Sequence, residues 1–128
     1  MRHDLLSDML SMIRVGDNAG KKYAYGPASE MVKDVLMVMQ KEGFIGEFEF
    51  VDNKRGGKFK VGLKGVVNNA KAVRPRFSVT VDGIEKYERR YLPASGFGIM
   101  IITTSHGIMT HAEAKKQKLG GKVLAYVY

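Results

Sequence analysis

Three hydroxyl side chains in a row, Thr103-Thr104-Ser105, are followed by His106 and Gly107 in this 128-residue chain. Hydroxyls of this size reach phosphate oxygens and ribose 2′-hydroxyls without filling a groove, and a glycine lets the backbone come close. Ser, Thr and Gly also favour plain β-turns, so the same five residues read equally as scaffold. Just beyond them, Thr110-His111-Ala112-Glu113 has the spacing of a helix capping box, with Lys115, Lys116 and Lys118 along the helix it would open. The positive end of that helix is expected to point at whatever the hydroxyl turn holds. The whole stretch reads as a cradle for a sugar-phosphate backbone.

Other chemistries fit these residues poorly. A Ser105-His106 nucleophile pair has Thr103 where a G-x-S-x-G elbow needs glycine, and no Asp or Glu stands near in sequence to orient the histidine. His106, His111 and Glu113 lack the i, i+4 histidine spacing of helical zinc sites. Gly120-Gly121-Lys122 resembles a piece of a phosphate loop, but its earlier glycine and following Ser or Thr are missing. The glycine pair instead reads as a helix stop, one of the two taking the left-handed conformation. Tyr87, Tyr91, Tyr126 and Tyr128 could stack on bases, although such tyrosines more often pack with the hydroxyl at the surface. With no cysteine there is no disulfide, thiolate metal site or thiol nucleophile. No cofactor, metal or enzymatic activity is expected.

Charge points the same way as the hydroxyl turn. The 21 Lys and Arg against 13 Asp and Glu give a net +8. Residues 1–64 hold 11 basic and 9 acidic side chains and residues 65–128 hold 10 and 4, so the second half carries +6 of that charge. A cationic half-protein attracts polyanions, with nucleic acid favoured because no basic amphipathic helix is evident for a membrane surface. No apolar run approaches the ~20 residues of a membrane span, and the N-terminus lacks a secretory apolar core, so a cytoplasmic protein is expected.

The elements that position these groups follow from periodicity. Leu5, Leu6, Met9, Leu10, Met12 and Ile13 predict an amphipathic helix capped by Asp4 and ending at Gly16. Lys22-Tyr23-Ala24-Tyr25 fits a short edge strand. A second helix is expected with Pro27 in its first turn, Val32, Val35, Leu36 and Met39 inward, and Gly43 just past its end. Strands over Phe44–Val51 and Phe59–Leu63 are joined by a four-residue turn, Asn53-Lys54-Arg55-Gly56. Glu47 and Glu49 are expected to face Lys58, Lys60 and Lys64 as cross-strand charge pairs, which leaves Lys54 and Arg55 at the tip for a phosphate. After a break at Gly65–Asn69, short strands flank Arg74-Pro75-Arg76, and Asp82 caps a helix through Tyr91 with Glu85 at the capping-box position. A strand over Phe97–Ile102, a short one at Ile108-Met109, a helix over Thr110–Lys118 and a strand over Val123–Tyr128 complete the chain. The fold class is α+β in two small fused lobes. Residues 1–65 form a helix-strand-helix-hairpin lobe and residues 66–128 a mostly β, RNA-binding lobe with a short capped helix.

Thr103-Thr104-Ser105-x-Gly107-Ile108-Met109, then Glu113-Ala114-Lys115 and Gly120 to Tyr128, resemble the C-terminal signature of the small-subunit ribosomal protein S-eight family. Leu5 to Leu10, Pro27-Ala28-Ser29, Gly43-Phe44-Ile45 and Tyr91-Leu92-Pro93-Ala94 fit it too, so the likeness covers essentially the whole chain. Arg74-Pro75-Arg76-Phe77 and the Tyr-Val-Tyr end resemble archaeal members. The resemblance implies a non-enzymatic structural constituent of the small subunit that binds a helical stem in the central domain of small-subunit rRNA and joins assembly early. It implies rRNA contacts centred on Thr103, Thr104, Ser105 and Gly107. Arg74, Arg76, Lys115, Lys116, Lys118 and Lys122 are expected to give diffuse phosphate attraction, with Ser29, Lys54 and Arg55 at the periphery. Glu30 follows Ser29 where many members are basic, and Ser95-Gly96 stands where relatives often have arginine. The expected partners are that rRNA and neighbouring small-subunit proteins, with no membrane and a monomer when free. The alternatives are a generic single-strand RNA binder and a Ser/His hydrolase.

Overall fold

The structure, a computed structural model, describes residues 4–54, 56–74, 76–94 and 96–128. The chain divides into two compact units, Met1–Ala70 and Lys71–Tyr128. It has an α+β architecture, with two antiparallel sheets and four α-helices among the described residues.

The first unit runs α1 (Leu5–Asn18), β1 (Tyr23–Pro27), α2 (Glu30–Lys41), β2 (Ile45–Val51) and β3 (Lys58–Leu63), its sheet ordered β1-β3-β2. Asp4 caps α1 as predicted, its Oδ1 accepting the Ser7 N–H at 3.2 Å. The apolar stripe packs inward: Leu6, Met9, Leu10 and Ile13 of α1 and Val32, Val35, Leu36 and Met39 of α2 are buried, as are Ala24, Phe59 and Val61 of the sheet.

Several local expectations change here. Gly16 does not stop α1. It stays helical, and a Cβ there would lie 2.9 Å from Leu63 Cδ1, so the glycine serves close packing, while the left-handed turn falls at Gly20 (φ +74°). Pro27 ends β1 instead of opening α2, whose cap is Ser29, its Oγ accepting the Val32 N–H at 3.1 Å. Gly43 (φ +84°) closes α2 as expected. The β2–β3 connection is six residues, 52–57, because Asp52 Oδ1 accepts the Lys54 N–H (2.8 Å) and Asn53 Oδ1 the Gly57 N–H (2.9 Å). A β-bulge between Ile45 and Phe48 turns Ile45 into the core. Glu49 stands opposite Lys60 as the alternation predicts, yet neither Lys58 nor Lys60 forms an ion pair among the described residues. Their ammonium groups lie over tyrosine rings instead. Buried Asp17, near the end of α1, accepts the Gly65 N–H at 2.8 Å and the Val67 N–H at 2.9 Å, which ties down the segment after β3.

The second unit holds most of β4 (Ala70–Ala72), then β5 (Ser78–Val79), a 3₁₀ turn (Val81–Gly83), α3 (Ile84–Tyr91), β6 (Ile99–Thr104), β7 (Gly107–Thr110), α4 (His111–Gln117) and β8 (Gly121–Val127). Its sheet is ordered β4-β8-β6-β7, with β5 also paired to β8. Met100, Ile102, Met109, Ala114, Val123 and Ile84 form the centre of its core. The four tyrosines singled out in the sequence pack against that core in a ladder with Phe77: Phe77–Tyr87, Tyr91–Tyr126 and Tyr126–Tyr128 ring centroids are 4.6, 5.3 and 6.1 Å apart. Asp82 is not a cap. Thr80 Oγ1 accepts the Gly83 N–H at 3.2 Å and opens the 3₁₀ turn, and α3 follows without a side-chain cap. Nor are Gly120 and Gly121 the helix stop, since Lys118 (φ 58°) takes the left-handed position. The glycines instead allow close approach. A Cβ on Gly120 would lie 2.6 Å from the Val79 carbonyl oxygen, and one on Gly121 would overlap that of Thr103.

Candidate nucleic-acid interface

The hydroxyl residues sit at the free end of the β6–β7 hairpin. Thr104 and Gly107 are directly opposite, so Ser105 and His106 alone form the turn and Thr103, Thr104 and Gly107 belong to the strands. Thr104 Oγ1 donates to the Gly107 carbonyl (2.9 Å) and accepts the His106 N–H (3.1 Å), so this hydroxyl holds the turn together. Gly107 sits at φ +112° with open space around it. Ser105, His106 and Gly107 are exposed. Among the described residues neither the Ser105 hydroxyl nor the His106 ring has a hydrogen-bond partner, so the side chains do not engage as a nucleophile and base.

Strand register surrounds this turn with polar groups that are far apart in sequence. Ser78 of β5 faces Lys122 of β8, Lys122 faces Thr103 of β6, and Thr103 faces Ile108 of β7. Directly opposed residues share a face, so Ser78, Lys122 and Thr103 form one transverse polar row beside the exposed tip. Ser78 and Lys122 are exposed and Thr103 half-buried. Ser78 was not foreseen. Its neighbours come from a pairing across more than forty residues, and nothing local in the sequence marks it.

The expected helix polarity is reversed. Thr110 does cap α4, its Oγ1 accepting the Glu113 N–H at 3.1 Å, but β7 first carries the chain away from the turn, and Thr110 faces Ile101. The turn adjoins Gly107, three residues or roughly 10 Å from Thr110 along the strand. The helix then returns, and three residues after Lys118 the chain reaches Gly121, packed on Thr103. The C-terminal end of α4 therefore lies toward the tip. Lys116 and Lys118 are exposed at this end, where cations also suit the helix dipole.

Lys115 differs from its neighbours. Its Nζ lies 3.1 Å from Glu88 Oε1, while Glu88 Oε2 lies 3.4 Å from His111 Nε2. His111 Nδ1 accepts the Met100 N–H at 3.1 Å, which leaves the ring proton on Nε2, toward Glu88. Burial holds the His111 pKa below its usual value, outweighing the Glu88 charge that favours the proton. For Glu88, burial raises the pKa, but the Lys115 hydrogen bond and the His111 and Lys115 charges together bring it below the usual carboxylate value. Lys115 is thus engaged in a structural triad with Glu88 and His111.

Arg74 and Arg76 are exposed in the β4–β5 connection, which flanks β8: the Val73 N–H donates to the Leu124 carbonyl and the Val123 N–H to the Phe77 carbonyl. In the first unit Ser29 Oγ is engaged in its cap, Lys54 (φ 63°) is exposed, and Arg55 lies outside the described residues, as do Pro75 and Ser95. Among the described residues no three metal-binding side chains are grouped, and no helix is long and apolar enough to cross a membrane.

Residues 4–128 match the family described as Ribosomal protein S8. The chain is 49% identical over a 129-residue alignment to the small ribosomal subunit protein uS8 of Picrophilus torridus, covering all of both chains. It is 50% identical over 127 residues to the protein of that name from Halobacterium salinarum, covering 98% of each. This chain belongs to the ribosomal protein S8 family of the small ribosomal subunit.

Proposed function

We propose that this protein is a non-catalytic structural component of the small subunit that binds a helical stem in the central domain of small-subunit rRNA and supports early assembly in the cytoplasm. The C-terminal lobe, residues 66–128, carries most of the RNA contact. Free, the protein is a monomer; in the particle it sits beside other small-subunit proteins. The observation that carries this reading is the exposed hairpin tip with its row Ser78–Lys122–Thr103 alongside. Ser105 offers an unengaged hydroxyl to a ribose or base edge, Gly107 lets the RNA backbone approach, and Thr104 fixes the turn. Ser78 joins Thr103 as a further hydroxyl. Lys116, Lys118, Lys122 and Arg76 attract phosphates, with Arg74 and Lys115 contributing less directly because each is already engaged. Ser29, Lys54 and Arg55 remain peripheral contacts.

Binding of the stem, measured against an unstructured RNA competitor across a salt series, tests this. Four neutralised phosphates give a log–log salt slope of about −3.6. Ser105→Ala is expected to weaken stem binding while leaving unstructured RNA unaffected, and Lys122→Ala to weaken both. A salt-independent affinity, or no preference for the stem, would refute the proposal; the second result would favour a generic single-strand binder.

A further inference from the structure

The outer face of the first unit's sheet carries a strip of lysines that form no ion pair among the described residues. Tyr25 faces Lys60 and Pro27 faces Lys58 across β1 and β3, so these residues share one face, opposite to buried Ala24, Phe59 and Val61. Each lysine reaches diagonally, with Lys60 Nζ 4.2 Å from the Tyr23 ring centroid and Lys58 Nζ 4.9 Å from that of Tyr25. The rings are 49% and 44% exposed, and their hydroxyls have no hydrogen-bond partner among the described residues. Exposed Lys64, next in the alternation after Lys58, Lys60 and Gly62, follows at the strand end. Glu49 lies opposite Lys60 and would neutralise it, yet the ammonium sits on the aromatic side.

Protein interfaces are depleted in lysine at their centres, whereas nucleic-acid interfaces are strongly cationic. Tyrosines beside lysines on an open sheet offer hydroxyls and ring faces to riboses and bases while the ammoniums meet phosphates. We infer that the outer face of the first sheet, Tyr23, Tyr25, Lys58 and Lys60, docks the sugar-phosphate backbone of an rRNA segment separate from the stem held by the hairpin tip. This rests on the reading of the protein as an rRNA binder.

The full-length Lys58→Gln/Lys60→Gln variant, with its fold checked by circular dichroism, tests the inference on two RNAs: the isolated stem and the complete small-subunit rRNA. Stem affinity is expected to stay within about twofold of wild type. Affinity for the complete rRNA falls about tenfold near 0.1 M salt, with a salt slope shallower by about 1.8 for two lost phosphate contacts. Unchanged affinity and slope on the complete rRNA overturn the inference. An equal loss on the stem alone also overturns it, because the strip then belongs to the stem site. If rRNA binding is unaffected but a neighbouring ribosomal protein no longer joins the reconstituted particle, the strip is a protein surface instead. Wild-type protein that binds neither RNA sinks the proposed function itself, a result separable from any effect of the variant.

Discussion

The tightest constraint on the hairpin site is a glycine remote from it in sequence, and Gly121→Ala probes it. The added Cβ would overlap the Thr103 carbonyl oxygen and lie 2.9 Å from Ile102 Cγ2. The first obstacle is backbone within a paired strand, so β6 and β8 must separate or slip. Overpacking of a well-packed site costs about 1–3 kcal/mol, and a rigid backbone obstacle places this substitution at the upper end. Against this, replacing glycine removes about 0.4–1 kcal/mol of unfolded-chain freedom. The net expectation is a loss of about 2 kcal/mol, or roughly 6–10 °C in Tm for a domain of this size. Gly46→Ala is the matched control: also in a strand, its added Cβ would meet nothing nearer than the Gly62 carbonyl oxygen at 3.6 Å, an ordinary contact. Thermal melts of both proteins, followed by stem binding, provide the assay. Gly46→Ala is expected within about 0.5 kcal/mol of wild type, while Gly121→Ala melts early and binds the stem more weakly, because Thr103 and Lys122 are the residues displaced. If the two variants melt alike, or Gly121→Ala leaves binding intact, the argument that this packing sets the site is wrong.

Asp17→Ala strands two backbone N–H groups and is expected to cost about 2–4 kcal/mol, seen as an earlier denaturant midpoint; a shift below about 0.5 kcal/mol would show that water replaces the carboxylate. Because His111 is held below its usual pKa of 6.5, its contribution to stability is complete above pH 6.5 and is lost as pH falls through the folded pKa. Glu88, held below 4.5, adds a second loss beneath that pH. Urea titrations from pH 8 to 4 should show the first decline in wild type and not in His111→Gln, and an identical decline in both would remove His111 from the account.

The sequence by itself determined what depends on neighbours within one or two turns. Asp4 and Thr110 cap helices where their spacing says they do, the apolar stripes of α1 and α2 face inward, and the polar run after β6 lies exposed at a tip. The α+β class and the family signature were legible for the same reason. Tertiary structure decided everything that needed a distant partner. Asp17 finds Gly65 48 residues away and Glu88 finds Lys115 at 27, so neither role shows in local spacing. Gly16, Gly120 and Gly121 looked like helix stops because glycine breaks helices, yet each is glycine to let another strand or side chain approach. Four residues of β7 reversed the expected pole of α4, and strand register placed Ser78 beside Lys122 and turned Lys58 and Lys60 from glutamates to tyrosines. Local propensity sets the period of an element. Which residues meet across a sheet depends on packing that closes long loops, and no short window of sequence contains that information.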